Sequence, residues 1–401
     1  MIVDLFAGPG GWDVGLGMVG RHDVIGIEWD TAACLTARAN GHHRIQADVT
    51  GIDPQRFNRA EGLIASPPCQ AWSMAGARKG ELDRENCHHL ADRMATGDDS
   101  AGWTTWEDER SPLVCQPVRW VRDIRPEWVA LEEVPAVAGL WEHFARIFRG
   151  WGYNVWTGDL LAADYGVPQT RLRRILMAHK TRTVHPPMPT HSKDGHGASL
   201  FGPDVLPWVS MADALGWGFD DEPSCTVSSG GAATGGAEPF ANAGYRARLR
   251  EYVVDRRTNS TTRAWAVRPG ELRWVIQTNQ GNPKEGYYQR ETDQPAPTLT
   301  SQLRSYAWTT QRPATTVVGS FRPDIIAAPG YRTSESRQDA PGSVRVTVQE
   351  AGILQSFPAD YQWKGSRTKQ YEQVGNAVPP LLAAHVLSAL GVGTIAKEHQ
   401  P

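Results

Sequence analysis

The segment Ile2-Val3-Asp4-Leu5-Phe6-Ala7-Gly8-Pro9-Gly10-Gly11 decides how the first part of this chain folds. Its apolar residues predict a strand, and its glycines predict a tight turn in which the backbone can approach a ligand closely. The turn lacks the full glycine pattern of dinucleotide-binding proteins, because Trp12 and Asp13 follow Gly11. That departure disfavours a nicotinamide cofactor and favours a nucleoside that carries no pyrophosphate.

The segments that follow continue the alternation begun by this unit. Apolar stretches alternate with amphipathic ones up to about Lys180, and Leu140, Phe144, Ile147 and Phe148 share one helical face. Such a pattern predicts an α/β fold, in which a mainly parallel sheet lies between helices and ligands bind at the carboxyl ends of its strands. The predicted strands are 2–6, 24–28, 44–49, 62–65, 128–132, 153–160 and 174–178.

Two regions depart from this alternation. Residues 73–109 show no convincing strand and are mostly polar, so we predict a long loop that acts as a lid after Cys69. Residues 181–344 are rich in Pro, Gly, Thr and Arg, which predicts a second, smaller, mostly β domain. Helical patterns return from residue 345, where Thr347 and Glu350 predict a capping box, and a final helix is expected to begin near Pro379.

The overall composition limits the class of protein. A chain of 401 residues, 40% hydrophobic and 21% charged, is typical of a soluble protein with two domains. It has no apolar stretch long enough to span a membrane, and it begins in a predicted strand rather than a signal peptide. Its five scattered cysteines favour a reducing compartment. Residues 244–345 contain 16 Lys and Arg against 9 Asp and Glu, a local basic excess that suits phosphate binding.

Several strand ends carry side chains that can react or bind. Leu63-Ile64-Ala65-Ser66-Pro67-Pro68-Cys69-Gln70 places a cysteine on a stiff proline corner after one strand, and Glu132 ends another. A positioned thiolate and a positioned acid can add to an electron-poor ring and protonate it, as attack on a cytosine requires. Glu28 ends a strand 20 residues after Gly8, where an acid can bind both ribose hydroxyls of a nucleoside. Asp48 follows the third strand and is placed to meet an adenine amino group.

In this order, these segments resemble the DNA (cytosine-5)-methyltransferase family, and two further motifs at residues 165–173 and 373–379 add to the resemblance. The family transfers a methyl group from S-adenosylmethionine to carbon 5 of a cytosine that is flipped out of the DNA helix. The resemblance implies a Rossmann-like methyltransferase sheet and a covalent cysteine adduct on the cytosine. It also implies a catalytic and cofactor-binding domain of residues 1–180, completed by 345–395, and a target-recognition domain of residues 181–344.

The resemblance assigns roles to individual residues. Cys69 is implied to be the nucleophile and Glu132 the acid at ring nitrogen 3, while Arg173 is implied to bind the cytosine carbonyl. Arg171 is expected nearer to the cysteine and DNA. The residues implied to contact S-adenosylmethionine are Phe6, Gly8, Gly10, Gly11, Glu28, Trp29, Asp48, Pro68, Leu113 and Asn376. The residues implied to contact DNA are Ser73, Gln169, Thr298 and Leu299.

One position departs from the family pattern. The family's Glu-Asn-Val triplet reads Glu132-Glu133-Val134 in this chain, so a second carboxylate stands where an asparagine is usual. Strand alternation sends neighbouring side chains to opposite faces, and we therefore expect only one of the two to face the ring. By register we assign that position to Glu132.

The expected partner is double-stranded DNA, and a cognate restriction endonuclease would complete a restriction-modification system. We expect a cytoplasmic monomer, bacterial or viral in a bacterial host, with no membrane partner and no metal.

A tRNA cytosine methyltransferase is the main alternative, but its small recognition region and Cys-Phe-Thr sequence are not found here. A catalytically silent DNA-binding relative is disfavoured by the intact reactive residues. A zinc site is a third alternative, although its candidate ligands match no standard spacing. Those ligands are Cys87, His88, His89 and Cys115.

Overall fold

A computed structural model of the protein describes residues 1–72, 79–195, 197, 205–210, 214–215 and 347–396. It also describes the backbone of short strands within 274–345. A seven-stranded sheet with the order β3-β2-β1-β4-β5-β8-β6 forms its centre. The neighbouring strands from β3 to β5 in this order are parallel, whereas β8 runs antiparallel to both β5 and β6. The strands are β1 Ile2–Leu5, β2 Val24–Glu28, β3 Arg44–Gln46, β4 Gly62–Ala65, β5 Trp128–Glu133, β6 Asn154–Leu161, the separate β7 Gln169–Thr170, and β8 Leu172–His179.

The seven predicted strands are all present, with small differences at their ends. The clearest difference is β3, which was predicted to reach residue 49 but ends at Gln46. Beyond it the chain turns into a short 3-10 helix, Val49–Gly51, because the Asp48 carboxylate accepts a hydrogen bond from the Thr50 backbone N–H at 2.8 Å. Local capping therefore ends the strand before its apolar pattern does.

Helices cover both faces of the sheet, as expected for this fold class. One face carries a hydrophobic core that includes Val3, Leu5 and Phe144, and the other carries a core that includes Ile2 and Leu382. Alternate residues of β1 thus enter opposite cores, which is the pattern of a sheet buried on both sides. The helices are α1 Gly11–Met18, α2 Thr31–Ala39, α3 Gly80–Thr96, α4 Gln116–Ile124, α5 Ala138–Gly150, α6 Val348–Leu354, α7 Arg367–Asn376 and α8 Pro380–Ala389. Among the described residues, none of the helices has the length and apolar character required to cross a bilayer.

The predicted lid contains a helix, so the prediction of one long loop over residues 73–109 was wrong. Helix α3 is 17 residues long and buries Cys87, Leu90, Ala91 and Met94 against the core. These four positions follow the i, i+3, i+4, i+7 spacing of an amphipathic helix. The rest of its surface is charged, which gives the segment the polar composition that is typical of a loop.

The C-terminal elements agree with the sequence patterns. Thr347 caps α6, accepting the Glu350 N–H at 3.1 Å, while the Glu350 carboxylate accepts the Thr347 N–H at 2.7 Å. This confirms the capping box, and α8 confirms the final helix, since it begins at Pro380. Helix α8 packs closely on α1, because a Cβ on Gly15 would lie 2.7 Å from the Ala383 Cβ. The segment that contains α8 therefore packs on the helix that follows β1.

The described parts of residues 181–344 contain short strands. Four of them form an antiparallel sheet with the order β12-β11-β14-β15, and β13 pairs in parallel with β7. Trp208 and Thr190 bind Asp164 of the first domain, through the indole N–H at 2.8 Å and the backbone N–H at 2.9 Å. The domain boundary at residue 180 stays a prediction, since the chain beyond it first packs on the catalytic domain. The strands are β9 His191–Ser192, β10 Leu206–Pro207, β11 Trp274–Gln277, β12 Gln289–Glu291, β13 Ala296–Pro297, β14 Ala307–Thr310 and β15 Ser343–Arg345.

Candidate active site

A single cavity of about 270 Å³ opens at the carboxyl ends of β1, β2, β4 and β5. The parallel strands bring their ends to this edge, where ligands of such sheets bind. Residues predicted for two separate tasks line the same cavity. Those predicted for the cofactor are Phe6, Gly8, Gly11, Glu28, Trp29, Pro68, Leu113 and Asn376. Those predicted for the reaction are Cys69, Glu132, Arg171 and Arg173.

Glu28 organises the cofactor half of the cavity. One carboxylate oxygen accepts the backbone N–H of Gly8 at 2.9 Å, and the other accepts that of Asp30 at 2.7 Å. Burial raises the pKa of the Glu28 carboxyl, and these two hydrogen bonds oppose the shift. Beside it, Trp29 is 67% exposed although it lines the cavity, so this indole is not a core residue. An acid and an exposed aromatic ring at one strand end suit the ribose and the base of a nucleoside.

The glycine-rich loop takes backbone conformations that its sequence allows. Gly8 and Gly10 have φ values of +54° and +117°, in the left-handed region. Phe6 shares this region at φ 58°, which costs energy for a residue with a side chain. A Cβ on Gly11 would lie 2.2 Å from the Val378 carbonyl oxygen, so only glycine fits there. The loop thus needs its glycines for shape as well as for approach to a ligand.

Two predicted cofactor residues lie outside the cavity lining. A Cβ on Gly10 would meet His42 and the Tyr361 hydroxyl, each at 2.7 Å. Gly10 therefore packs against these two side chains and does not line the cavity. Asp48 is exposed, and its carboxylate caps the short helix after β3. The early end of β3 directs this carboxylate to the backbone, and its expected contact with an adenine amino group stays a prediction.

A buried ion pair that the sequence patterns did not reveal supports the loop. The Arg44 guanidinium binds the Asp13 carboxylate through both terminal nitrogens, at 3.0 and 2.6 Å. The same guanidinium donates to the Gly8 carbonyl oxygen at 3.3 Å. Beneath it, neither carboxyl oxygen of Asp4 has a hydrogen-bond partner among the described residues, and burial and the Asp13 charge raise the pKa of Asp4. Arg44 therefore stabilises the glycine-rich loop through the Gly8 carbonyl and the Asp13 carboxylate.

The reactive half of the cavity contains an ion pair and the partly buried thiol of Cys69. Arg173 Nε lies 2.8 Å from Glu132 Oε1, and both side chains are almost fully buried. This contact orients the Glu132 carboxylate toward the cavity. The pKa of the Cys69 thiol is raised to about 12, first by burial and then by the negative charge of Glu133, while Arg173 opposes the shift. A thiol in this setting needs help to become a nucleophile.

Glu133 lines the same cavity as Glu132, and the expectation that only Glu132 faces the cytosine ring stays a prediction. Alternation applies to the two faces of a sheet, but the cavity lies beyond the end of β5, where both side chains can reach it. Glu133 is 1% exposed, and its pKa is raised well above the usual range by burial and by the Glu132 charge.

The residues predicted to contact DNA have different outcomes. Gln169 is fully buried, and its amide donates to the Leu354 carbonyl oxygen at 3.2 Å and to Gln355 Oε1 at 3.0 Å. A direct DNA contact by this side chain is therefore not supported. Arg171 is also buried and donates to the Gly375 carbonyl oxygen at 3.0 Å, which joins the reactive loop to α7. The other predicted DNA contacts, Ser73, Thr298 and Leu299, lie outside the described residues.

Other features of the site were missed or excluded. Arg110, Lys369 and Gln373 line the cavity but were not predicted, although Arg110 lies only three residues before Leu113.

The alternative zinc ligands do not converge: the Cys87 and Cys115 thiols bind backbone carbonyl oxygens. Among the described residues, no three side chains of metal-binding type come together.

Comparisons with known proteins agree with this geometry. The family model for C-5 cytosine-specific DNA methylases matches residues 1–91 and 100–391. The type II methyltransferase M1.HphI of Haemophilus parahaemolyticus is 25% identical over 406 residues, covering 97% of this chain and 86% of its own. M.DdeI of Desulfomicrobium norvegicum is 26% identical over 420 residues, covering 95% of this chain and 86% of its own.

Solved structures share the fold at low identity. A mutant of Spodoptera frugiperda DNMT2 superposes with a TM-score of 0.56 at 14% identity, covering 97% of this chain and 99% of its own. The Dnmt2 methyltransferase of S. pombe has the same TM-score at 15% identity, covering 97% of both chains. Because the family model spans nearly the whole chain, and the cavity unites the expected nucleophile with the expected cofactor loop, the chain belongs to the C-5 cytosine-specific DNA methylase family.

Proposed function

We propose that this enzyme recognises a short sequence in double-stranded DNA and methylates a flipped-out cytosine through a transient bond from Cys69 Sγ to ring carbon 6. Its family transfers a methyl group from S-adenosylmethionine to carbon 5 of cytosine in DNA. The observation that carries the assignment of residues is the shared cavity, in which Cys69 and the Glu132–Arg173 pair lie beside the Glu28 loop.

The cofactor half fits S-adenosylmethionine. Glu28 would bind the ribose hydroxyls, and the exposed Trp29 indole would pack on the adenine. The backbone of Gly8 to Gly11 would follow the methionine part, and Asn376 would contribute to the same cavity lining. When bound, S-adenosylmethionine supplies an electrophilic methyl group next to the reactive half of the cavity.

The reactive half would act on the base. A cytosine must leave the DNA stack before a side chain in this cavity can reach it. Cys69 Sγ then adds to carbon 6, and Glu132 donates a proton or a strong hydrogen bond to ring nitrogen 3. Arg173, which already holds Glu132 at 2.8 Å, would also bind the cytosine carbonyl. Correct placement of these groups can account for about 7–11 kcal/mol of the barrier reduction.

Recognition of the DNA sequence is assigned to residues 181–344. This segment has most of the local basic excess, and none of the proposed catalytic residues lies in it. Phosphate contacts by its arginines would position DNA, and contacts to base edges, including one by Thr298 and Leu299, would specify the target. Because the relatives M1.HphI and M.DdeI are type II methyltransferases, we also propose a role in a bacterial restriction-modification system in the cytoplasm, with a cognate endonuclease as partner.

Trapping of the covalent adduct tests the proposal. DNA of mixed sequence that contains 5-fluorocytosine cannot lose the atom at carbon 5, so the wild-type protein with S-adenosylmethionine should stay attached to it under denaturing conditions. The Cys69→Ser protein should form no adduct, while Cys34→Ser, which changes a buried cysteine of α2, should behave as wild type. Adduct formation by Cys69→Ser would overturn the assignment of the nucleophile.

A further inference from the structure

Glu133 is the one buried acid of the reactive half to which the proposed function gives no task. Its side chain is 1% exposed and lines the same cavity as Cys69. One carboxyl oxygen, Oε2, accepts the backbone N–H of Val134, whereas Oε1 has no hydrogen-bond partner among the described residues. A buried carboxyl oxygen without a partner is costly, and such a group needs a functional explanation.

Resting on the proposed function, we propose that Glu133 is a second catalytic carboxylate, whose Oε1 accepts the proton that the Cys69 thiol loses when sulfur bonds to the cytosine. The asparagine that is usual at this position in the family has no basic oxygen of comparable strength, so this step would be a property of the present chain.

The electrostatics of the cavity explain why a base is needed. Burial is the main cause of the raised pKa of Cys69, and Glu133 affects that thiol more strongly than any other charged group, ahead of Arg173. Very little thiolate forms unaided at neutral pH when a thiol has a pKa of about 12. Burial also raises the pKa of Glu133, which brings its basicity closer to that of the thiol than an ordinary glutamate could come.

The proton and electron balance of the step is complete. The S–H bond of Cys69 breaks, and the sulfur electron pair forms the bond to ring carbon 6. Because the thiol makes no direct hydrogen bond to Glu133 Oε1, the proton moves to this oxygen through one water molecule. The π electrons of the C5–C6 bond move toward carbon 5 and nitrogen 3, where Glu132 acts. After methylation, a base acting through water removes the proton from carbon 5, and the electrons of that C–H bond re-form the C5–C6 double bond as the S–C6 bond breaks. The departing sulfur then takes its proton back from Glu133. No group is oxidised or reduced, and no further reactant is required.

Two explanations of Glu133 predict opposite results for Glu133→Gln. If the residue acted only through its negative charge, its removal would lower the pKa of Cys69 and make adduct formation faster. If it accepts the proton, its removal should slow adduct formation roughly 100-fold at neutral pH, the usual size of a lost general base. Glu133→Asn, which restores the family's usual residue, should be slowed similarly, because asparagine cannot accept the proton.

The experiment measures the rate of adduct formation on 5-fluorocytosine DNA between pH 6 and pH 9, in the presence of S-adenosylmethionine. The wild-type rate should rise as Glu133 loses its proton and then level off, while the Glu133→Gln rate should keep rising with pH as the thiol itself ionises. Glu127→Gln, just before the start of β5, is the matched control and should follow wild type. Thermal unfolding and calorimetric binding of S-adenosylmethionine check that the Glu133 variants are folded.

Three outcomes distinguish the role of Glu133 from the proposed function. A slowed, folded Glu133→Gln protein with an altered pH profile supports the proposal. An equal or faster rate for this variant, or a wild-type rate in Glu133→Asn across the pH range, overturns it and leaves the proposed function intact. A wild-type protein that forms no adduct refutes the proposed function and, with it, the role of Glu133.

Discussion

At the scale of single residues, Glu28 connects the glycine loop to the cavity proposed to bind the cofactor. Its carboxylate accepts two backbone N–H groups, and it lies within the cavity rather than behind it. The spacing from Gly8 was enough to predict this position from the sequence, because the ends of β1 and β2 are neighbours in a parallel sheet. The Arg44–Asp13 pair could not be predicted in the same way, since its partners come from separate elements and follow no local pattern.

Glu28→Gln should weaken S-adenosylmethionine binding about tenfold or more, because a hydrogen bond to a charged acceptor contributes about 1.5–3 kcal/mol. Wild-type affinity should fall as the pH decreases through the raised pKa of Glu28, since protonation removes an acceptor, and this fall should be absent from the variant. Isothermal calorimetry at several pH values measures both effects. Glu61→Gln, which changes a surface ion pair with Arg21, is the control. An unchanged affinity for Glu28→Gln would contradict the assignment.

At the scale of elements, α3 joins the segments that follow the two reactive strands. The Arg84 guanidinium lies 5.3 Å from the centre of the Trp72 ring and donates to the Ala136 carbonyl oxygen at 2.7 Å. Trp72 follows Cys69 by three residues, and Ala136 follows Glu133 by three. The neighbouring Asp83 accepts hydrogen bonds from Glu107, Asp108 and Ser111, which fixes the loop that carries Arg110.

Removing this connection should reduce turnover without removing cofactor binding. We expect Arg84→Ala to lower the methylation rate roughly tenfold, equivalent to about 1.4 kcal/mol in the barrier, because both reactive segments lose a lateral contact. Arg93→Ala is a matched control on the same helix, since Arg93 also lies over an indole, that of Trp103, and pairs with Asp98 away from the cavity. A methylation assay with saturating S-adenosylmethionine compares the two. Equal losses in both variants would show that α3 acts only through general stability.

Helix α3 is also the element that the sequence patterns did not predict. Residues 79–109, the described part of the segment, contain no strand, as predicted, but the apolar stripe of α3 consists of only four residues within a charged segment. The family match also leaves out residues 92–99, which include the C-terminal end of α3. Tertiary packing against α4 and α5, which no local pattern reports, stabilises the helix.

At the scale of the whole molecule, the alternating strands and helices of residues 1–180 could be predicted well. Their periodicity is local, and parallel sheets follow strict rules of connection. The position of the cavity could be predicted because such sheets bind ligands at the carboxyl ends of their strands. The sequence motifs place Cys69, Glu132 and Glu28 at these strand ends, and all three line the cavity. Residues 181–344 could be predicted only as mostly β, because contacts that read DNA bases depend on side-chain geometry that sequence patterns do not encode.

The most direct test of the account is to find the methylated base. Purified protein is incubated with S-adenosylmethionine and unmethylated genomic DNA, which is then analysed by bisulfite sequencing and by mass spectrometry of its nucleosides, with Cys69→Ser in parallel. The account predicts 5-methylcytosine at one short sequence after treatment with wild type, and none after treatment with Cys69→Ser. Methylation of another base or atom, or equal methylation by Cys69→Ser, would contradict it.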